Sequence, residues 1–240
     1  MGAVTLLPAA GAHGELTGIM VIKKALAMRA EKRTTILIPD SAHGTNPASA
    51  ALCGFTPITV KSGVDGRVRA ESVAALMNEH CAGIMLTNPN TLGLFETEIE
   101  KIAEIVHSKG GYVYCDGANL NAIVGVARPG DMGVDVLQMN LHKTFSTPHG
   151  GGGPGSGPVG VVRALEPYLP TPRVMHNNGY LTLVHHMPQS IGAIRTFYGS
   201  FLVCLRAYAY LLSYGKGVRE IAETAVLSAN YILAKLRGAY

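Results

Sequence analysis

The 240-residue sequence contains no tryptophan, and only 15% of its residues are charged. Its net charge of +4 comes without a basic run or a basic stripe interleaved with aromatic residues, so we expect no nucleic-acid partner. The four scattered cysteines lack the CxxC spacing of a zinc site or a redox dithiol, and they indicate no disulfide framework. We therefore expect reduced thiols and a cytoplasmic location.

Apolar runs long enough to cross a membrane are also absent. The most apolar late stretch, 200–214, contains Arg206 and is too short to span a bilayer. It predicts a buried helix, and we expect no membrane association. Hydrophobic residues still make up 48% of the chain, which is ample for a large core.

Patterns typical of buried strands alternate with helical patterns over the first part of the chain. The predicted strands are 35–38, 56–60, 84–87, 112–115, 136–139 and 159–162. This alternation predicts an α/β fold with a mostly parallel sheet flanked by helices. Ligands of such sheets bind beyond the carboxyl ends of the strands.

Four chemically useful side chains lie at predicted carboxyl ends of strands: His43, Asn88, Asp116 and Lys143. Each alone has an ordinary interpretation, such as a surface lysine, a helix cap or a loop histidine. Independent surface residues would have no reason to share this placement, so together they favour a ligand site.

The chemistry of these residues points to pyridoxal 5′-phosphate. Lys143 lies between a strand and the glycine-rich stretch 149–155. Desolvation of its amine there would lower the amine pKa and favour the neutral form, which reacts with an aldehyde. Small residues in 8–15 precede a helix, whose free N–H groups suit a phosphate. Asp116 would keep a pyridine nitrogen protonated, and His43 would stack on the ring.

Other sites fit less well. The glycine-rich stretch lacks the Gly-Lys-Ser/Thr ending of a nucleotide-binding P-loop. A zinc site built from His13, His43 and Cys115 is not favoured by their spacing, and we expect no metal.

The composition changes after residue 162. We expect residues 1–166 to form the α/β large domain that binds the cofactor, and 167–240 to form a linker and long helices leading toward a small domain. A helix is predicted over 189–213 and another over 221–236. Residues 97–100 fit a capping box at the start of a further helix.

Several segments carry a family resemblance: 8–18, 40–49, 86–93, 116–121, and 140–145 with 149–155. They resemble glycine dehydrogenase (decarboxylating), the P-protein family of the glycine cleavage system. The match is closest to subunit 2, the C-terminal-half subunit of the split form. Because this family extends further at both ends, we expect the chain to be a fragment that lacks the N-terminal part of the fold and has a truncated small domain.

The resemblance implies a fold-type I enzyme that depends on pyridoxal 5′-phosphate. Lys143 would bind the cofactor covalently, Asp116 would face the pyridine nitrogen, and His43 would be both catalytic and stacked on the ring. The other cofactor-binding residues that the resemblance implies are Ala118 on the second ring face, Gly11, Ala12 and His13 at the phosphate, His142 close by, and Asn88 and Thr91 near the ring hydroxyl.

The resemblance also implies a reaction and its partners. Glycine would lose CO2, and its aminomethyl group would pass to the lipoyl group of the H-protein, with subunit 1 completing the enzyme. Two alternatives stay open. One is another fold-type I enzyme, such as a cysteine desulfurase, an aminotransferase or a lyase; the other is a non-catalytic assembly subunit or an inert fragment.

Overall fold

A seven-stranded sheet lies at the centre of the computed structural model, which describes residues 1–239. Its strands are β1 (Ala3–Thr5), β2 (Thr35–Pro39), β3 (Thr56–Val60), β4 (Cys81–Thr87), β5 (Tyr112–Gly117), β6 (Val136–Met139) and β7 (Val159–Val161). They lie in the order β1-β7-β6-β5-β4-β2-β3. Strands β2 to β6 are parallel, and β7 runs antiparallel to both β6 and β1. The predicted α/β fold with a mostly parallel sheet is confirmed.

Helices cover both faces of this sheet. Helices α1 (Gly11–Met28) and α2 (Thr45–Leu52) pack on one face, and α3 (Ala70–Leu76) and α4 (Ile99–Ser108) pack on the other. The later helices are α5 (Leu141–Thr144), α6 (Phe201–Tyr214) and α7 (Val218–Leu236). Successive residues of a strand point to opposite faces, so Tyr114 of β5 packs with α1 while Val113 and Cys115 pack with α4. The next residue, Asp116, therefore points to the α1 side of the sheet.

The capping box predicted at residues 97–100 is wrong. Helix α4 begins at Ile99 after Glu98, and no side chain caps its N terminus. The Glu98 carboxylate instead accepts a hydrogen bond from the Ala70 N–H, 2.8 Å away, at the start of α3. A local sequence pattern does not show that a neighbouring helix offers the same carboxylate a better donor.

The helix predicted over 189–213 is also partly wrong, because α6 begins only at Phe201. Gly192 and Gly199 have φ values of 85° and 104°, outside the right-handed helical region. A Cβ atom at Gly199 would lie 2.7 Å from the Leu6 carbonyl oxygen, so this segment packs closely against the start of the chain. A hairpin of β8 (Arg173–Asn177) and β9 (Tyr180–Val184) precedes it.

Helix α6 is not the buried helix that its composition predicts. It buries Val203 and Ala207, whereas six of its large apolar side chains are exposed within residues 1–239: Phe201, Leu202, Leu205, Tyr208, Leu212 and Tyr214. Hydrophobicity predicted burial here, but the described part of the chain does not supply the covering surface. No helix described between residues 1 and 239 has the length and apolar character needed to cross a membrane.

Glycines let α1 approach the sheet closely. A Cβ atom at Gly14 would lie 2.6 Å from the Gly157 carbonyl oxygen, and one at Gly18 would lie 2.7 Å from the Tyr114 ring. The Tyr114 ring is fully buried. The depth of α1 over β5 and β6 therefore depends on these small residues.

We predict that Gly18→Val destabilises the chain by about 1–3 kcal/mol, because the added methyl groups overpack the contact with Tyr114 and Val136. The free energy of unfolding in urea measures the effect. Ala27→Val, at an exposed position of the same helix, is the control and is expected to cost less than about 0.7 kcal/mol. Equal unfolding midpoints for the two variants would contradict the close packing described here.

Candidate active site

A cavity of about 180 Å³ lies where the N terminus of α1 meets the carboxyl ends of β5 and β6. Its lining residues are Gly11, Ala12, Glu15, His43, Thr45, Asp116, Ala118, Asn140, His142 and Lys143. Most residues predicted from the sequence as site residues are among them. The structure thus brings together side chains that are up to 132 positions apart, from position 11 to position 143.

Lys143 lies in the short helix α5, directly after β6. Its neighbours Leu141 and Thr144 are buried, and the Leu141 N–H donates to the Ser156 carbonyl, 3.2 Å away, beyond the glycine-rich loop. Lys143 itself is exposed, so this chain alone does not desolvate its amine as the sequence led us to expect. The backbone of α5 is held firmly while the amine stays accessible from the cavity.

Asp116 is a buried acidic residue of the site, with 3% of its surface exposed. Its Oδ1 atom accepts a hydrogen bond from the Ala118 N–H at 2.9 Å. Burial raises the pKa of Asp116 above its ordinary value, while the Ala118 N–H and the charges of Lys143 and His43 act in the opposite direction. The carboxylate is therefore poised to pair with a cation.

The N terminus of α1 forms another wall of the cavity. Its N-cap residue, Ala10, provides no side-chain hydrogen bond, and the first turn contains no acidic residue. The first N–H group that bonds within the helix is that of Gly14, which donates to the Ala10 carbonyl at 2.9 Å. Free N–H groups and the helix dipole together make this end suitable for an anion.

His43 and His142 approach the cavity from different sides. His43 precedes α2 and is exposed, and its Nδ1 atom lies 2.7 Å from the Thr45 hydroxyl oxygen. The His142 ring centroid lies 4.1 Å from that of His149. The pKa of His142 is lowered by burial and by the nearby charges of His149 and Lys143, which favours the neutral ring.

Three predicted site residues do not line the cavity. The His13 side chain bonds the preceding backbone, where its Nδ1 atom accepts a hydrogen bond from the Ala9 N–H at 3.1 Å. The Asn88 side chain is buried, with its Oδ1 accepting from the Glu96 N–H at 3.0 Å. The Thr91 hydroxyl donates to the Ser41 carbonyl and lies in a neighbouring groove toward α7. Their predicted contacts with a cofactor stay predictions.

Sequence reasoning missed Glu15, Thr45 and Asn140 as lining residues. Glu15 stands out in hindsight, because it lies one turn after Gly11 on the helix face that carries the packing glycines. An acidic residue on a face of small residues was a usable signal. The Asn140 side chain lies so close to Gly11 that a Cβ atom added at Gly11 would collide with the Asn140 amide.

A model of the aminotransferase class-V family matches residues 13–152, more than half of the chain. The chain belongs to the aminotransferase class-V family.

Curated relatives of this class-V chain include probable glycine dehydrogenase (decarboxylating) subunit 2 of Alkaliphilus oremlandii (strain OhILAs). It is 57% identical over 241 residues, which cover 100% of this chain and 50% of the relative. The protein of the same name from Bacillus licheniformis is 56% identical over 242 residues, again 100% of this chain and 50% of the relative. The chain spans about half the length of these relatives.

Solved structures share the fold of this class-V chain. A glycine decarboxylase (P-protein) of the glycine cleavage system, in inhibitor-bound form, superposes with a TM-score of 0.69 at 20% identity, over 91% of this chain and 49% of the other. A Lactobacillus brevis glutamate decarboxylase gives 0.69 at 15% identity, over 100% of this chain and 56% of the other. At these identities the likeness concerns the fold.

We predict that Asp116→Asn stabilises the cofactor-free chain at pH 7. The folded chain holds the Asp116 proton to higher pH than the unfolded chain, because burial raises the folded-state pKa. Stability is therefore lost as pH rises from the ordinary aspartate pKa through the raised value, and this loss disappears in the asparagine variant.

Urea unfolding between pH 3 and pH 7 measures this effect. The advantage of Asp116→Asn should shrink toward acid pH, where both states of the original chain are protonated. Glu104→Gln, at an exposed position of α4, is the control and should follow the original chain throughout. An Asp116→Asn chain that is less stable than the original at pH 7 would contradict the role given to burial.

Proposed function

We propose that this chain binds pyridoxal 5′-phosphate in the cavity and forms part of a glycine decarboxylase of the glycine cleavage system. The meeting of Lys143, the buried Asp116 and the free N terminus of α1 in one cavity carries this proposal. Relatives that are 55–57% identical over the whole chain and bear the name glycine dehydrogenase (decarboxylating) support the choice of reaction.

The residues of the cavity fit the cofactor. The anion site at Gly11 and Ala12 suits a phosphate, and no nearby acidic residue of the first turn repels it. The buried Nδ1 atom of His142, which lines the cavity, has no hydrogen-bond partner among residues 1–239, so it can bond to a bound group. Asp116 supplies the anion that a protonated pyridine nitrogen needs.

Pyridoxal 5′-phosphate supplies an aldehyde that reacts with amines and a ring that accepts the electron pair released when a carboxylate leaves as CO2. In our proposal the Lys143 amine would react with this aldehyde and hold the cofactor in the cavity. Asp116 keeps the proton on the ring nitrogen, which strengthens the ring as an electron acceptor. His43 and Ala118 contact the ring, and the first turn of α1 binds the phosphate.

The proposal extends to the assembly. We propose that glycine is the substrate, that the lipoyl group of an H-protein receives the aminomethyl group, and that a subunit 1 completes the enzyme. In this assembly residues 1–166 form the cofactor-binding domain and 167–240 lead toward a second domain. The free cysteines Cys53, Cys81, Cys115 and Cys204 support a cytoplasmic location.

We predict that adding pyridoxal 5′-phosphate to the chain produces a visible absorbance band and that borohydride then fixes the cofactor on Lys143. Lys143→Ala should lose both the band and the reduced adduct. Lys101→Ala, at an exposed position of α4, is the control and should keep both. Peptide mass mapping identifies the modified lysine.

An adduct on another lysine, with Lys143 unmodified in a folded chain, would overturn the site assignment. If the chain alone gives no band, subunit 1 is added and the measurement is repeated. A continued lack of binding in that complex would overturn the proposed cofactor.

We predict that the chain, combined with subunit 1, lipoylated H-protein and pyridoxal 5′-phosphate, exchanges labelled CO2 into the carboxyl group of glycine. Lys143→Ala should reduce the exchange by at least a thousandfold, because it removes the group that holds the cofactor aldehyde. Activity on cysteine or on an amino-acid and keto-acid pair, with none on glycine, would favour a different enzyme of this fold. Binding of subunit 1 or H-protein without turnover would favour a non-catalytic assembly subunit.

A further inference from the structure

We infer that Glu15 is a positioning residue that acts through the Thr45 hydroxyl to fix the ring orientation and the tautomer of His43. The three side chains come from separate elements: Glu15 from α1, His43 from the loop after β2, and Thr45 from the first residue of α2. They form a continuous line of short contacts along one wall of the cavity.

The distances define this line. The Thr45 hydroxyl oxygen lies 2.8 Å and 2.7 Å from the two carboxylate oxygens of Glu15. The same hydroxyl oxygen lies 2.7 Å from the Nδ1 atom of His43. The backbone N–H of Thr45 also points at Nδ1, at 3.2 Å. All these separations are within hydrogen-bond range.

The heavy atoms determine where the hydrogens must be. An N–H group can only donate, so the Thr45 backbone N–H, 3.2 Å from His43 Nδ1, favours an unprotonated Nδ1, and the shorter contact of the Thr45 hydroxyl adds the stronger restraint. The 2.7 Å contact then requires the Thr45 hydroxyl to donate to Nδ1 as well. Because the hydroxyl has a single hydrogen, we place the second hydrogen on one of the two Glu15 carboxyl oxygens, which both lie within 2.8 Å of the Thr45 oxygen; the other carboxyl oxygen then carries no hydrogen. We therefore assign a protonated Glu15.

An ionised Glu15 would instead set two hydrogen-bond donors against each other at His43 Nδ1. If Glu15 is ionised, the Thr45 hydroxyl donates to it, and His43 Nδ1 must carry a proton to bond the hydroxyl oxygen. That proton would face the Thr45 backbone N–H, so two donors would meet at 3.2 Å. The protonation of Glu15 thus selects between the two neutral forms of His43.

The surroundings of Glu15 favour its neutral form. Its surface is 4% exposed, and burial is the main reason that its pKa is raised. Asp116 on β5 raises the pKa further, whereas the charges of His43 and Lys143 lower it. A hydrogen bond donated by the Thr45 hydroxyl would also lower it, but in the arrangement assigned here that hydroxyl donates to His43 instead. A carboxylic acid that keeps its proton can serve as a hydrogen-bond donor.

The consequence is a defined donor at the cavity. With Nδ1 accepting from Thr45, the proton of a neutral His43 is on Nε2, and the ring of this exposed side chain is held on its Nδ1 side. The catalytic meaning of this arrangement rests on the proposed contact between His43 and the cofactor. The arrangement itself is a property of the cofactor-free chain and can be measured without the cofactor.

The test is ¹⁵N NMR of the cofactor-free full chain with labelled histidine at pH 7.5. Comparison with His43→Asn assigns the His43 signals among the nine histidines. We expect Nδ1 at the shift of a fully unprotonated nitrogen and Nε2 at that of an N–H. Thr45→Val should move both shifts toward the average of two exchanging tautomers, and Thr45→Ser, which restores the hydroxyl, should return them.

Glu15 is tested by a matched pair of variants. Glu15→Gln still offers an N–H to Thr45 and should keep the original His43 shifts. Glu15→Leu should release the Thr45 side chain, so that its three-bond couplings report averaging over χ1 rotamers and the His43 shifts move as in Thr45→Val. Glu104→Leu on the exposed face of α4 is the control and should change neither readout.

Two results would overturn the inference. One is a proton on Nδ1 of His43 in the original chain. The other is a Glu15→Leu chain with unchanged Thr45 couplings and unchanged His43 shifts. A failure to bind pyridoxal 5′-phosphate even with subunit 1 present would contradict the proposed function. The NMR results on the cofactor-free chain would still be interpretable, so the two failures are distinguishable.

Discussion

Helix α1 carries glycine at positions 11, 14 and 18, a spacing that places all three on one helix face. That face meets the Asn140 amide, the Gly157 carbonyl and the Tyr114 ring at distances that exclude a Cβ atom. The helix therefore lies deeper on the sheet than larger side chains would allow. Its N terminus reaches the carboxyl ends of β5 and β6 because of this depth, and the cavity exists where they meet.

Depth also determines the electrostatics of the cavity. Glu15 and Asp116 are both nearly inaccessible, and burial raises the pKa of each carboxyl group. Lys143 and His43 lower both pKa values without cancelling the effect of burial. The two carboxyl groups then differ in what they contact. Glu15 already has a hydrogen-bond partner in Thr45, whereas the Asp116 side chain bonds only the Ala118 N–H among residues 1–239 and can still accept a cation.

The alternation of strand and helix patterns was sufficient to predict the sheet, and the rule of strand carboxyl ends was sufficient to predict where Asp116 and Lys143 lie. Parallel pairing places Asp116 beside Thr87 on one side and beside Gln138 on the other, so residues distant in sequence share one edge. The start of α6 could not be predicted from apolar spacing, because Ile191, Ile194 and Phe197 repeat at helical intervals in a segment that is not helical. There the φ angles of two glycines and a close backbone contact outweigh the pattern.

Glu15 was missed for a related reason, since its role depends on an element that is 30 positions away. Periodicity places it on α1 but does not show that Thr45 begins α2 directly opposite. Once α1 is placed, however, its anion site at Gly11 and its Glu15 contact with Thr45 are fixed together. Gly11 and Glu15 are four residues apart and share a face, so a one-residue shift of the helix would rotate both away by about 100°. The glycine contacts that fix the rotation of α1 therefore hold the anion site and the Thr45 contact in register with each other.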